Sequence, residues 1–158
     1  DNLIANLPVP DESGHFLTKP SEQNFADSCN EFWWVSPYVA KGLCREEFFY
    51  ATFHLDRVLR EELLRITAWN VGAEHDFKVN LGAANKFLHH YLDTDILKAL
   101  QESYHINSLD KGWESLFAMQ EIFRQQAKQL ANRLGFNYPD QFEKVIPYIH
   151  NLHQQYSD

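Results

Sequence analysis

From residue 21 onward, apolar residues recur every three or four positions, the period of a helix that buries one face. Ser21 predicts an N-cap, and a first helix runs from Glu22 towards Leu43. Ser36-Pro37 has the form of a cap followed by proline at the first helical position, so this stretch is expected to be two helices meeting at a kink. A long helix follows over about residues 45–71, with Phe48, Leu55, Leu59, Leu63 and Ile66 inward and Gly72 as its stop. Shorter helices fit 83–92 and 95–105. Another long one fits 112–134, with Trp113, Leu116, Phe117, Phe123, Ala127, Leu130 and Leu134 inward and Gly135 as its C-cap. The last fits 139–156, kinked at Pro147. Residues 1–20 hold three of the six prolines and read as an extended leading segment or linker, with a short strand at 2–7. The expected fold is all-α: an antiparallel helical bundle over residues 21–158, preceded by that extended segment.

Composition narrows the picture. A chain of 158 residues, 44% hydrophobic and 15% aromatic, can bury a core. No apolar run approaches the roughly 20 residues of a membrane span, and the first residues lack the basic and apolar regions of a secretory leader. The chain begins with Asp1 rather than Met, which suggests a start inside a longer protein. Net charge is −8, so a phosphate backbone is repelled and nucleic acid is not an expected partner, whereas a cationic small molecule is. Cys29 and Cys44 make no disulfide framework; with them the composition reads as cytoplasmic, and both are expected to be small buried residues.

Candidate chemistry lies on the first helix. If residues 25–45 are placed on one continuous helix, Asp27, Glu31, Trp34, Tyr38, Lys41 and Arg45 step by four, three, four, three and four, and so form one stripe. Phe25, Cys29, Phe32, Val39 and Leu43 fall on the opposite, core-facing side. Carboxylates at one end suit cationic groups, guanidinium above all, which a carboxylate binds in a fork. Trp34 and Tyr38 offer flat walls to a sugar-like ring. Lys41 and Arg45 suit phosphate. The competing reading is a solvated helix with ordinary charge pairs, Lys41 pairing with Glu46 or Glu47. Arg57, Arg60, Glu61 and Glu62 are expected to be charge pairs around a bundle seam.

The stretch Cys29-Asn30-Glu31-Phe32-Trp33-Trp34-Val35-Ser36-Pro37-Tyr38-Val39-Ala40-Lys41-Gly42-Leu43-Cys44-Arg45-Glu46-Glu47 resembles the C-terminal half of the aminoglycoside 6-adenylyltransferases. The likeness continues through Arg60-Glu61-Glu62-Leu63-Leu64, Trp69-Asn70-Val71-Gly72, Asn85-Lys86-Phe87-Leu88, Trp113-Glu114-Ser115-Leu116-Phe117 and Leu134-Gly135-Phe136-Asn137-Tyr138-Pro139. The resemblance implies a two-domain, magnesium-dependent enzyme that moves AMP from ATP to a hydroxyl of streptomycin and so confers antibiotic resistance. Residues 1–20 are then the link from a missing N-terminal nucleotidyltransferase domain, and residues 21–158 the helical domain that helps close the drug and nucleotide site. Taken with the stripe, this makes Asp27, Glu31, Trp34 and Tyr38 the expected contacts of the drug, with one of the two carboxylates, Glu31 in the first place, a candidate base. Lys41 and Arg45 meet the nucleotide, Lys41 steadying the departing phosphates.

One departure is large. The Gly-Ser turn and Asp-x-Asp strand that hold metal in that family have no counterpart in this chain. Asp93-Thr94-Asp95 matches only the letters and reads as a helix cap. Glu102-x-x-His105 lacks the second such pair a di-iron bundle needs, and His150 and His153 share a face without a third ligand. No metal site is therefore expected in this chain, and alone it is expected to be inactive. A function of another class stays open: a non-catalytic helical module that binds a protein through the Trp33–Tyr38 surface.

Overall fold

The structure is a computed structural model and describes residues 11–158. The short strand expected at 2–7 lies outside them. The described residues form no strand; the fold is all-α, built from α1 (Glu22–Cys44), α2 (Phe48–His54), α3 (Arg60–Glu74), α4 (Thr94–Glu102), α5 (Leu109–Leu134) and α6 (Val145–Ser157). Among the described residues no helix is long and apolar enough to cross a membrane.

α1 is the central element and packs against α2, α3, α5 and α6. Its start is fixed by a capping box, in which Ser21 accepts from the Asn24 amide and Asn24 accepts from that of Ser21. Its core face is the one the period predicts: Phe25, Cys29, Phe32, Val39 and Leu43 are buried. Phe32 stacks on Phe123 of α5 with centroids 3.9 Å apart, and Trp33 meets both rings edge-on. This core also explains why the interruption expected at Pro37 does not occur. Proline removes one helical hydrogen bond, but Val35, Ser36, Val39 and Ala40 around it are all buried, so a break would uncover apolar surface on both sides. The Ser36 hydroxyl donates to the Phe32 carbonyl at 2.8 Å and ties the same turn.

The helix expected over 45–71 instead starts at Phe48. α1 ends in a Schellman turn in which the Glu46 amide donates to the Leu43 carbonyl and that of Glu47 to Gly42. The left-handed residue is Glu46, at φ 58°, where glycine is usual, and this hid the turn from the sequence. From Phe48 the helix runs on through a π-helical turn at Leu55–Leu59 to Glu74. Gly72 is not its stop; a Cβ there would lie 2.6 Å from the Phe77 ring, and the Phe77 amide reaches back to the Gly72 carbonyl at 2.7 Å.

The segment expected as a helix over 83–92 is two separate 3₁₀ turns, because Gly82, Ala84 and Asn85 all take positive φ. Val79, Leu81 and Leu88 pin it to the end of α3, and the Leu17 amide donates to the Val79 carbonyl. α5 ends at Gly135 in the left-handed region, as read. The expected kink at Pro147 is absent: Pro147 is the third residue of α6, where an amide has no intrahelical acceptor to lose.

Candidate functional site

On α1 the stripe lies where its spacing puts it. Asp27, Glu31, Trp34, Tyr38 and Arg45 are exposed and Lys41 is half-buried. The phase distinguishes the two tryptophans sharply: Trp34 is 66% exposed, whereas Trp33 is 1% exposed and donates to the Tyr138 hydroxyl at 3.2 Å. Lys41 forms no ion pair among the described residues, with Glu46 and Glu47 included. Arg45 is the C-cap of α1 rather than the start of the next helix.

The fold divides this stripe. Asp27 and Glu31 open into a cavity of about 350 Å³ between α1 and α3, lined also by Asn24, Ser28, Glu62, Arg65 and Trp69. Trp34, Tyr38, Lys41 and Arg45 lie outside it, further along α1 beside α2. There the Tyr38 ring stacks against His54 at 5.9 Å, and His54 in turn contacts Tyr50 and Phe53. The backbone that approaches Gly42 is that of Ala51, so α1 and α2 nearly touch beside Lys41.

Glu62 is the member of the cavity that sequence reasoning placed elsewhere. It does form a charge pair, with Arg65 at 3.5 Å, but its carboxylate also accepts from the buried Ser28 hydroxyl at 2.6 Å. It is 8% exposed. Burial raises its pKa above the ordinary glutamate value, Glu31 and Glu61 push the same way, and Ser28 and Arg65 oppose the shift. Asp27, Glu31 and Glu62 against Arg65 alone leave the cavity with excess negative charge, and the Trp69 ring forms part of its wall. A signal was present: Glu62, Arg65 and Trp69 step by three and four, one stripe along α3. Nothing in the spacing said that this stripe faces Asp27 and Glu31.

Arg60 behaves as a seam residue. It is buried, pairs with Asp56 at 3.0 Å and donates twice to Ser103. His150 stacks on Phe117, and His153 packs at a tilt against Trp113, both as packing groups. Asp93 occupies the N-cap of α4 without a side-chain hydrogen bond. Burial pushes the Cys29 thiol up to about 12, whereas Cys44 is only half-buried, contrary to expectation. No group of three or more His, Cys, Asp or Glu able to hold a metal occurs among the described residues. A larger cavity, about 640 Å³, lies between α4 and α5 and contains no stripe residue. Its acidic rim is partly neutralised by Lys98 on Glu102 and Lys111 on Glu114.

Comparison with known proteins bears on the whole chain. Residues 1–152 match the family model described as streptomycin adenylyltransferase. An aminoglycoside 6-adenylyltransferase of Campylobacter jejuni is 35% identical over 99% of this chain and 54% of its own length. That of Staphylococcus aureus is 36% identical over 98% of this chain and 55% of its own. The crystal structure of an aminoglycoside 6-adenyltransferase from Bacillus subtilis superposes with a TM-score of 0.80 at 31% identity, over 94% of this chain and 57% of that one. The chain thus spans about half the length of the relatives it matches.

Proposed function

The chain belongs to the streptomycin adenylyltransferase family, and from that premise we propose that it is the drug- and nucleotide-facing helical half of an aminoglycoside 6-adenylyltransferase. The transfer joins a drug hydroxyl oxygen to the α-phosphorus of ATP and releases pyrophosphate. The observation that carries this reading is the serial order on α1: an acidic cavity, then two exposed aromatic rings, then an unpaired lysine on one face. A cationic drug is drawn to Asp27 and Glu31 and flanked by Trp34 and Tyr38. Glu31 is the candidate to take the hydroxyl proton.

Lys41 is ten residues from Glu31, about 15 Å along a straight helix, which is the right order for the span from a drug to the outer phosphates. Its charge, with that of Arg45, would steady the leaving pyrophosphate, an effect greatest in the transition state. Among the described residues no group of three or more His, Cys, Asp or Glu is placed to hold a metal; on this reading the magnesium and its ligands would sit in the other half of the enzyme. A linker over residues 1–20 would join that half to this one, in a cytoplasmic protein.

Thermal-shift titration tests the reading. Stabilisation by streptomycin or by ATP with magnesium supports it. The pure chain alone should transfer no AMP, and measurable adenylylation by it would contradict the division of labour. One observation favours a second reading, a protein-binding module: Phe49, Phe53 and Tyr50 leave an aromatic surface on α2, Phe49 being 85% exposed. Insensitivity to both ligands, with self-association, would favour it.

A further inference from the structure

Glu62 and Arg65 make an arrangement that drug attraction alone does not require. The two carboxylate oxygens of Glu62 differ in their surroundings. Oε2 is fixed from behind by the buried Ser28 hydroxyl at 2.6 Å. Oε1 faces Arg65 Nη1 at 3.5 Å, well beyond the ~2.7–2.9 Å of a tight guanidinium–carboxylate bond. The Arg65 side chain is 49% exposed, so it holds Oε1 loosely and from the solvent side. Glu61, four residues before Arg65 on α3, is an exposed carboxylate in the favourable order for a pair with it. Arg65 therefore has a second place to go.

We propose that Arg65 is an internal stand-in for a ligand guanidinium, holding Oε1 of Glu62 in the empty cavity and yielding it to a guanidinium ligand, so that Glu62, Arg65 and Trp69 select guanidinium over ammonium. The proposal rests on reading this cavity as the drug site. The selection follows from shape and hydration. A guanidinium is planar, forks onto paired carboxylate oxygens and stacks on an indole face, and the cavity offers Glu62 beside Glu31 with Trp69 in its wall. An ammonium is a compact, strongly hydrated charge. It must shed more water to reach a carboxylate as buried as Glu62, and it gains no stacking on Trp69. Arg65 raises the threshold, because an incoming cation must displace a group that already has the matching geometry.

The experiment has two arms. In the first, streptomycin, which carries two guanidinium groups, is titrated calorimetrically into the wild-type chain, Arg65→Met, Glu62→Gln and the double variant, each checked for helicity. Arg65→Met should tighten binding about two- to five-fold, the value of a part-exposed ion pair, and Glu62→Gln should weaken it. Arg65→Met should add nothing in the Glu62→Gln background. Tightening that persists there means that Arg65 only repels cations through its field, and it overturns the proposal, as does weaker binding by Arg65→Met. In the second arm, methylguanidinium and methylammonium are titrated at matched ionic strength while the Arg65 side-chain Nε–H resonance is followed by NMR. A saturating shift with methylguanidinium alone is expected; equal shifts, or none, overturn the proposal. If methylguanidinium moves Arg65 but streptomycin does not bind, the assignment of the drug falls and the stand-in remains.

Discussion

Replacing each of the adjacent tryptophans by alanine should give opposite phenotypes. Trp33 is 1% exposed, edge-on to Phe32 and Phe123, and donates to Tyr138. Removing so large a buried ring costs about 3–5 kcal/mol. The broken hydrogen bond adds little, because the Tyr138 hydroxyl still donates to Glu143 at 2.7 Å and keeps its main partner. In a chain of this size that loss lowers Tm by about 6–20 °C. Trp34 is 66% exposed, and its removal should change stability by no more than about 0.5 kcal/mol. If Trp34 is a wall of the drug site, losing its ring should nevertheless weaken streptomycin binding. Urea unfolding and streptomycin titration on the same three proteins read both effects. A Trp34→Ala protein destabilised by more than about 2 kcal/mol, or a Trp33→Ala protein of wild-type stability, would refute the helix phase from which the site is built.

Other substitutions probe other parts of the argument. Lys41→Ala in the two-domain enzyme should lower turnover at least ~10²-fold with the fold intact, since Lys41 makes no ion pair among the described residues; steady-state kinetics showing less than a few-fold loss would return Lys41 to the surface. A Cβ on Gly42 would lie 2.9 Å from the Tyr50 ring and 3.2 Å from the Ala51 backbone. Gly42→Ala should therefore cost about 1–3 kcal/mol of overpacking, against roughly 1 kcal/mol of improved helix propensity, and a net gain in urea stability would contradict the close approach of α1 and α2. Because the Glu62 pKa is raised on folding, the native state keeps that proton to higher pH than the unfolded chain. The contribution of Glu62 to stability is then complete below the ordinary glutamate value of 4.5 and declines as pH rises through the raised native value. Glu62→Gln should remove that decline, so the stability of the variant relative to wild type should grow as pH rises above the ordinary glutamate value of 4.5; urea midpoints that move in parallel would refute it.

Much of this site was legible because its signals are local to one helix. The cap at Ser21, the buried positions Phe25, Cys29, Phe32, Val39 and Leu43, and the stripe from Asp27 to Arg45 all depend on spacings of three or four residues, which helical geometry converts directly into a face. Gly135 was legible for a similar reason, since a left-handed cap favours glycine. The Schellman turn at Glu46 was not, because a glutamate takes the left-handed position there, and the core against α2 is what holds it. Nor did Pro37 break α1: intrinsic preference at one residue is worth less than the buried surface on either side of it. The other wall of the cavity was decided only in three dimensions. Ser28 and Glu62 are 34 positions apart, and which residues of α3 meet Asp27 and Glu31 depends on how the two helices cross and on the extra residue that the π-helical turn at Leu55–Leu59 inserts ahead of Arg60. Helical period fixes which residues share a face of one helix; only packing fixes which faces meet.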